Sequence, residues 1–343
     1  MILIKRRALL LSVFVLVLST LLSACSEQPL AALKLSGKTM GTSYHITVVH
    51  GEQAIDAAAI QALVDQRLQQ INQQMSTYIS DSELMQFNRL PVGQWQQVSP
   101  ELFHVVLQSM EISWLTGGAF DITVGPLVNA WGFGNTGHED KIPSQALIDS
   151  LLADIGFQNI ELNIGSIEIS KKTPLQIDLS AIAKGYGVDQ VADLLREQGY
   201  QHFMVEVGGE LRLSGHSPKR QPWLIAIEQP DGSFGEVYKA VALTDKAIAT
   251  SGDYRNYFEK EGQRYSHTLS PITGKPITHN LASVTVIADE AAQADGLATA
   301  INVMGPEAGF KLAQQQGLAI YLLVKTEQGF AAKYSDAFQP YLQ

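Results

Sequence analysis

Hydrophobic and polar residues alternate along several segments of the chain and recur at helical spacing along others. Leu175, Ile177 and Leu179 alternate with polar residues, which predicts a strand. Ser180 follows as a candidate helix N-cap. Apolar residues then recur at helical spacing as far as Gly199, which stands where a helix C-cap is expected. This stretch is predicted to form a strand, a tight turn and a helix.

The predicted turn collects groups that suit an anionic ligand. Unpaired N–H groups in the first turn of a helix form a natural seat for a phosphate. Asp178 lies at the end of the predicted strand, and Lys184 lies in the first helical turn. Spacing alone leaves a second interpretation open, in which Ser180 only caps the helix, Asp178 favours its dipole and Lys184 is solvated.

Further elements follow from the same periodicities along the rest of the chain. Helices are predicted over residues 54–75, 100–116 and 306–316, a short helix capped by Ser80 or Asp81, and strands over 38–49, 203–213 (two, flanking Gly208 and Gly209), 222–227, 281–287, 318–324 and 330–334. This mixed order with hairpin signals predicts an α+β fold with mixed, mostly antiparallel sheets and packed helices. The KGYGVD segment lacks the spacing of a dinucleotide fingerprint, so a Rossmann fold is rejected.

The N-terminus has the features of a targeting segment. Three basic residues precede the apolar run 8–22, which is too short for a comfortable membrane span. The run ends in a Leu-Ser-Ala-Cys sequence that resembles a bacterial lipobox, and Cys25 is the only cysteine of the chain. We expect residues 1–24 to be a lipoprotein signal peptide, with lipidated Cys25 anchoring the protein at the periplasmic face of a bacterial membrane. Residues 25–36 are expected to form a tether and 37–343 the folded domain. An ordinary secretory peptide with a chance cysteine is the alternative.

The charge balance restricts the partners. The chain has 24 basic and 34 acidic residues, a net charge of −10. Loss of residues 1–24 removes three basic and no acidic residues, which leaves 21 basic against 34 acidic, or −13. Such a chain is a poor nucleic-acid binder, and it repels an anionic cofactor unless a metal ion or local donors compensate.

Two oxygen-bearing residues near the C-terminus are spaced for a shared ligand. Asp295 and Thr299 are four residues apart, so on a helix they lie on one face. Carboxylate and hydroxyl oxygens are hard ligands of the kind that Mg²⁺ takes. The commoner alternative is an Asp that caps the helix and a Thr that fills it.

Several segments in the same order resemble one known family. They are MGTSY, STY…SEL…FN, GAFDITVGPLV, IDLSAIAKGYGVD, VEVGGELR, SGDYRN, YSHTLSPITGKP and ADGLATA, and they extend from Met40 to about Gly305. On these motifs the chain is identified as a member of the ApbE family of FAD:protein FMN transferases.

The resemblance implies an activity and partners. Members of this family bind FAD and Mg²⁺ and move FMN onto a Thr or Ser hydroxyl of a partner protein, with release of AMP. Typical partners are flavin-accepting redox subunits of membrane pumps, such as sodium-translocating quinone reductases and Rnf-type complexes, and the acceptor motif resembles D-x-S/T-G-A-T. Which partner is used and which membrane carries the anchor stay open.

The resemblance also implies site residues, by motif match. The FAD site would include Met40, Tyr78, Ala119, Phe120, Asp121, Asp178, Lys184 and Leu269. Asp295, Thr299 and the Ala181 carbonyl would hold Mg²⁺, and His267 stands at the position of the family's proposed catalytic base. Tyr78 and Phe120 are expected to offer aromatic surface to the flavin or adenine. One departure is Ser270, where the family pattern has Asp.

Two other functions stay open from the sequence. One is FAD pyrophosphatase activity, in which water replaces the acceptor hydroxyl and free FMN and AMP are released. The other is a non-enzymatic flavin-binding lipoprotein, which would need neither the Asp295/Thr299 pair nor His267.

Overall fold

The computed structural model of the protein describes residues 28–52, 54–134, 142–230, 237–252, 257–260 and 263–342. The predicted signal peptide and Cys25 lie outside these residues. No helix within them is long and apolar enough to cross a membrane. The strands are β1 (Ala32–Thr39), β2 (Thr42–Val49), β3 (Gln96–Gln97), β4 (Ile160–Asn163), β5 (Glu168–Lys171), β6 (Phe203–Val207), β7 (Glu210–Ser214), β8 (Trp223–Glu228), β9 (Val237–Leu243), β10 (Ala247–Gly252), β11 (Tyr257–Lys260), β12 (Gln263–Ser266), β13 (Leu281–Ala288), β14 (Ala319–Thr326) and β15 (Gly329–Tyr334).

Seven α-helices accompany these strands in the described part of the chain. They are α1 (Ala57–Met75), α2 (Glu83–Arg89), α3 (Pro100–Leu115), α4 (Gly125–Ala130), α5 (Gln145–Asp154), α6 (Ala183–Glu197) and α7 (Ala291–Gln316). Asp56, Ser82, Ser99 and Ser144 cap four of them by accepting a bond from a first-turn backbone N–H. The short helix α2 is therefore capped by Ser82, and the predicted caps Ser80 and Asp81 are wrong.

The largest sheet has eight strands in the order β1-β2-β6-β7-β10-β13-β14-β15, and every neighbouring pair in it is antiparallel. Smaller antiparallel sheets pair β3-β5-β4, β8-β9 and β11-β12. The predicted α+β class with mostly antiparallel sheets is confirmed.

Both faces of the eight-stranded sheet are covered. Along β14, Ile320 and Leu322 pack into the core beneath the helices, while Tyr321 and Leu323 pack on the opposite face. This alternation follows from the two-residue period of a strand. Helices α6 and α7 pack on each other and on the first face. The β8–β9 hairpin covers the second face through Trp223. The site described below lies where α6 and α7 meet the sheet.

The segment predicted to form a strand, a tight turn and a helix, residues 174–199, differs from that prediction in two ways. Residues 174–179 form no strand, and only an isolated parallel bridge joins Gln176 to Val124. The alternation is real because Leu175, Ile177 and Leu179 are all buried, but the segment passes through the core without a ladder partner. Helix α6 begins at Ala183, so Ser180 is not its N-cap. Its C-terminal end at Gly199 is confirmed by a left-handed φ of 88°.

The predicted tether boundary also needs correction. Strand β1 begins at Ala32 and pairs with β2, so residues 32–36 belong to the sheet and not to the tether. The Arg212 guanidinium donates to Asp189 at 2.8 Å, and both side chains are largely buried. Asp189 also accepts bonds from the N–H groups of Ala291 and Ala292, so this pair anchors the start of α7.

Candidate active site

A single cavity of about 1620 Å³ collects the residues that the sequence singled out. All twelve candidate residues within the described chain line it: Met40, Tyr78, Ala119, Phe120, Asp121, Asp178, Ala181, Lys184, His267, Leu269, Asp295 and Thr299. They come from six separate parts of the chain, from the β1–β2 turn to α7. Convergence of distant polar groups on one large cleft is typical of a ligand site.

Met40 and Tyr78 line the cavity in different ways, since Met40 packs against a helix and Tyr78 is exposed. Met40 lies in the β1–β2 turn with a left-handed φ of 48°, followed by Gly41 at 71°. Its thioether lies close against α6, since a Cβ added at Gly187 would come 2.9 Å from Met40 Cε. Tyr78 is 70% exposed and is held by a bond from its N–H to Ser76 Oγ. Tyr78 therefore presents an open aromatic face to the cavity, as expected.

The loop after α3 carries the next three candidates. Gly117 and Gly118 have left-handed φ values of 62° and 83°, which turn the chain sharply out of the helix. Phe120 is only 2% exposed and packs in the core. The expectation that its ring offers stacking surface is therefore wrong, because the core already covers that ring.

Asp121 is held inside the same loop by its neighbours. Its Oδ1 accepts bonds from the N–H and hydroxyl of Thr123, and its Oδ2 accepts one from the Phe157 N–H at 2.8 Å. Burial raises the pKa of Asp121, and these three bonds oppose the rise. In the described structure Asp121 thus ties its loop to the segment after α5 while still lining the cavity.

Asp178 sits at the end of a clamped segment. Asn88 accepts a bond from the Ile177 N–H at 2.7 Å and donates to the Ile177 carbonyl at 2.9 Å. Lys171 Nζ in turn donates to the backbone carbonyls of Asn88 and Leu175. Asp178 itself accepts from the Ser180 N–H at 2.8 Å. Asn88 belongs to the STY…SEL…FN motif, but nothing in the sequence shows that its side chain reaches residue 177.

An ammonium group and two carboxylates form the charged centre of the cavity. Lys184 Nζ lies 3.1 Å from Glu210 Oε1 and 3.3 Å from Asp295 Oδ2. Burial alone would lower the pKa of Lys184, but the two carboxylates together raise it above its ordinary value. Burial raises the pKa of Asp295 and brings that of Glu210 to about 8, and Lys184 opposes both rises.

Glu210 is a cavity residue that the sequence motifs do not predict, although it belongs to the VEVGGELR segment. The available signal was an acidic residue at the first position of a buried strand, directly after a glycine pair.

The oxygens proposed for a metal ion have suitable chemistry. Asp295 and Thr299 lie one turn apart on α7. The Gly185 N–H donates to Asp295 Oδ2 at 3.1 Å, and no backbone N–H of the described residues donates to the Ala181 carbonyl. Carboxylate, hydroxyl and carbonyl oxygens fit Mg²⁺, which completes its shell with water and phosphate oxygens. Within the described ranges no group of three or more His, Cys, Asp or Glu side chains could hold a metal, so any such site depends on the uncharged oxygens as well.

His267 follows β12 in a loop that is braced on both sides. Trp131 donates its indole N–H to the Gly274 carbonyl at 2.8 Å, and the rings of Phe133 and His267 lie edge to face at 6.4 Å. Ser270, the departure from the family pattern, accepts a bond from the Thr273 N–H at 3.3 Å. A serine hydroxyl thus closes the turn that an aspartate carboxylate could also close.

Comparisons with known proteins find similar sequences and similar folds. Residues 40–322 match the model of the ApbE family. A protein of Vibrio cholerae described as "FAD:protein FMN transferase" is 44% identical over 325 residues, 94% of this chain and 97% of the relative. The solved structure "Flavin Transferase ApbE from Vibrio cholerae" aligns with a TM-score of 0.85 at 42% identity, over 92% of this chain and 100% of that one. The apo form of the Pseudomonas stutzeri flavinyl transferase ApbE aligns with a TM-score of 0.84 at 39% identity, over 91% and 97% of the two chains.

Proposed function

The chain belongs to the ApbE family, and on that premise we propose that it is an FAD:protein FMN transferase, an enzyme that moves FMN from FAD onto another protein. The observation that carries the proposal is the convergence of the twelve candidate residues on one cavity. A carrier that only binds flavin needs neither the Asp295/Thr299 pair nor His267, so the presence of these residues in the cavity favours an enzyme over a binding protein.

The proposed reaction is attack on the FMN phosphorus of FAD by a Thr or Ser hydroxyl of the partner. The hydroxyl oxygen forms the new bond to phosphorus, the bond to the AMP phosphate breaks, and AMP leaves with the electron pair. The residue that takes the hydroxyl proton is His267, which lines the same cavity. A positioned base of this kind contributes about 10²–10⁴-fold to the rate.

Asp295, Thr299 and the Ala181 carbonyl would hold Mg²⁺, which when bound supplies positive charge to the pyrophosphate and to the leaving AMP. Lys184 lies in the first turn of α6, and its ammonium lines the cavity, where it offers a positive charge to the pyrophosphate. The cavity also holds Asp178, Glu210 and Asp295, so these cationic groups are needed to offset carboxylate repulsion of the pyrophosphate.

The proposed setting is the periplasmic face of a bacterial membrane, with a lipid on Cys25 and flavin-accepting subunits of membrane redox pumps as partners. The basic segment, short apolar run and single cysteine of the N-terminus support this proposal. Replacing Cys25 by Ser should abolish labelling by a radioactive fatty acid. Normal labelling of Cys25→Ser would contradict the anchor.

The flavin site is tested most simply by FAD titration of a Lys184→Ala variant. Loss of one charge-assisted contact should cost roughly 1.5–3 kcal/mol of FAD binding free energy. The matched control is Lys172→Ala, which removes a lysine whose ion pair with Glu161 is exposed. Transfer by the wild type should also stop in EDTA and return with Mg²⁺. An unchanged FAD affinity in Lys184→Ala, or transfer that resists EDTA, would refute the corresponding part of the proposal.

A further inference from the structure

Lys184 has two carboxylate partners, and the nearer one is not the proposed metal ligand. Its Nζ lies 3.1 Å from Glu210 Oε1, against 3.3 and 3.5 Å from the two oxygens of Asp295. One ammonium is therefore shared between a carboxylate on β7 and a carboxylate on α7.

Glu210 is built into the wall of the cavity. It is 4% exposed and begins β7, directly after Gly208 and Gly209 with left-handed φ values of 60° and 105°. The Gly209 N–H donates to Glu206 at 2.7 Å, which fixes the turn. Glu210 Oε2 is buried and makes no hydrogen bond within the described structure. The side-chain contact of this buried carboxyl group is therefore the one between its Oε1 and Lys184 Nζ.

A cation bound by Asp295 competes with Lys184 for the same carboxylate. Two positive charges close to one oxygen repel each other, so binding of a divalent cation is weakened when the ammonium stays on Asp295. A second acceptor next to Lys184 relieves this competition, because it lets the ammonium move away without losing its partner in a buried place.

We infer that Glu210 is a positioning residue that draws the Lys184 ammonium away from Asp295 and so leaves Asp295 open to a divalent cation. The inference rests on the proposed function, in which Asp295 binds Mg²⁺. Glu210 itself does not contact the reacting atoms.

The test is calorimetric titration of the full chain with Mg²⁺ in the absence of FAD. Glu210→Met keeps the volume of the side chain but removes the acceptor, and it should raise the Mg²⁺ dissociation constant at least about tenfold, the effect of one charge-assisted hydrogen bond. Glu210→Gln keeps an acceptor oxygen at the same place and should stay close to the wild type. Thermal unfolding identifies variants that fold, and Glu210→Ala replaces Glu210→Met should the latter not fold.

A second titration separates positioning from a direct effect of the Glu210 charge on the cation. In a Lys184→Met background there is no ammonium to hold, so Glu210→Met should then change the Mg²⁺ dissociation constant by less than about twofold, as for independent sites. A loss of equal size in both backgrounds, or wild-type affinity in Glu210→Met, would overturn the inference.

Asp295→Ala distinguishes this failure from failure of the metal site itself. If Asp295→Ala binds no Mg²⁺ while Glu210→Met binds as the wild type does, the inference is wrong and the proposed metal site stands. If Asp295→Ala binds as the wild type does, the proposed metal site is wrong and the inference falls with it.

Discussion

The Gly185 N–H donates to Asp295 Oδ2 at 3.1 Å, and this bond ties the first turn of α6 to α7. The two helices can approach so closely only because residue 185 has no side chain. A Cβ there would lie 2.3 Å from the carbonyl oxygen of Ala291, at the start of α7. The bond and the close packing together set the distance between Lys184 and Asp295.

Gly185→Ala should therefore separate the two helices and disrupt the charged centre. Overpacking of this kind costs roughly 1–3 kcal/mol, and the obstructing atom is backbone that cannot rotate away. We expect a lower free energy of unfolding in urea together with weaker FAD binding. Glu197→Ala, at an exposed position of the same helix, is the control and should change neither. A Gly185→Ala protein with wild-type stability and affinity would show that the close approach does not matter.

The Asn88 clamp on Ile177 should be needed for the position of Asp178. Asn88→Ala leaves the buried N–H and carbonyl of Ile177 without their partner, at roughly 1–3 kcal/mol for each unsatisfied group. We expect a lower urea midpoint and a raised dissociation constant for FAD. Asn280→Ala removes a side-chain bond to the Lys325 carbonyl at the surface and should have little effect on either quantity. Equal behaviour of the two variants would contradict the clamp.

The free energy of unfolding of the metal-free protein should depend on pH through the titration of Glu210. Burial raises the pKa of Glu210 from 4.5 to about 8. The folded state then holds a proton that the unfolded state has released, so the contribution of Glu210 to stability is present below about pH 4.5 and is lost as the pH rises through about 8. Glu210→Gln cannot titrate. Urea unfolding in EDTA between pH 5 and pH 9 should show wild-type stability falling relative to Glu210→Gln, and parallel pH profiles would contradict a raised pKa.

His267→Ala should separate catalysis from binding. If His267 takes the hydroxyl proton, kcat should fall by about 10²–10⁴-fold while FAD affinity and thermal stability stay near wild-type values. A histidine that only supports its loop would give a different result, with affinity and stability falling together with the rate. Steady-state transfer kinetics, FAD titration and thermal unfolding of this one variant distinguish the two roles.

The motifs predicted residues that the fold brings to one cavity, and within each motif the residues stay close together because the motif is a local run. The spacing of Asp295 and Thr299 is an example: a helix of any orientation puts both on one face. Strand alternation failed over residues 174–179, since burial of every second residue occurs in an extended core segment as well as in a ladder. Side-chain alternation does not report whether the backbone has a hydrogen-bonding partner.

The contacts between distant segments could not be predicted. Glu210 and Lys184 are 26 residues apart, and Asp295 is 111 residues from Lys184. Their meeting depends on how β7, α6 and α7 pack, which no local pattern encodes. For the same reason the sequence suggested an open ring for Phe120, although the fold buries it.

The measurement that tests the account most directly is intact-protein and peptide mass spectrometry of a candidate partner subunit after incubation with the enzyme, FAD and Mg²⁺. The account predicts one FMN joined by a phosphoester to a Thr or Ser of the partner, with one AMP released for each FMN attached. Replacing that Thr or Ser by Ala should abolish the adduct, and Asp295→Ala enzyme should not form it. Release of free FMN and AMP in the presence of an intact acceptor, with no mass added to the partner, would contradict transfer and identify the protein as an FAD pyrophosphatase.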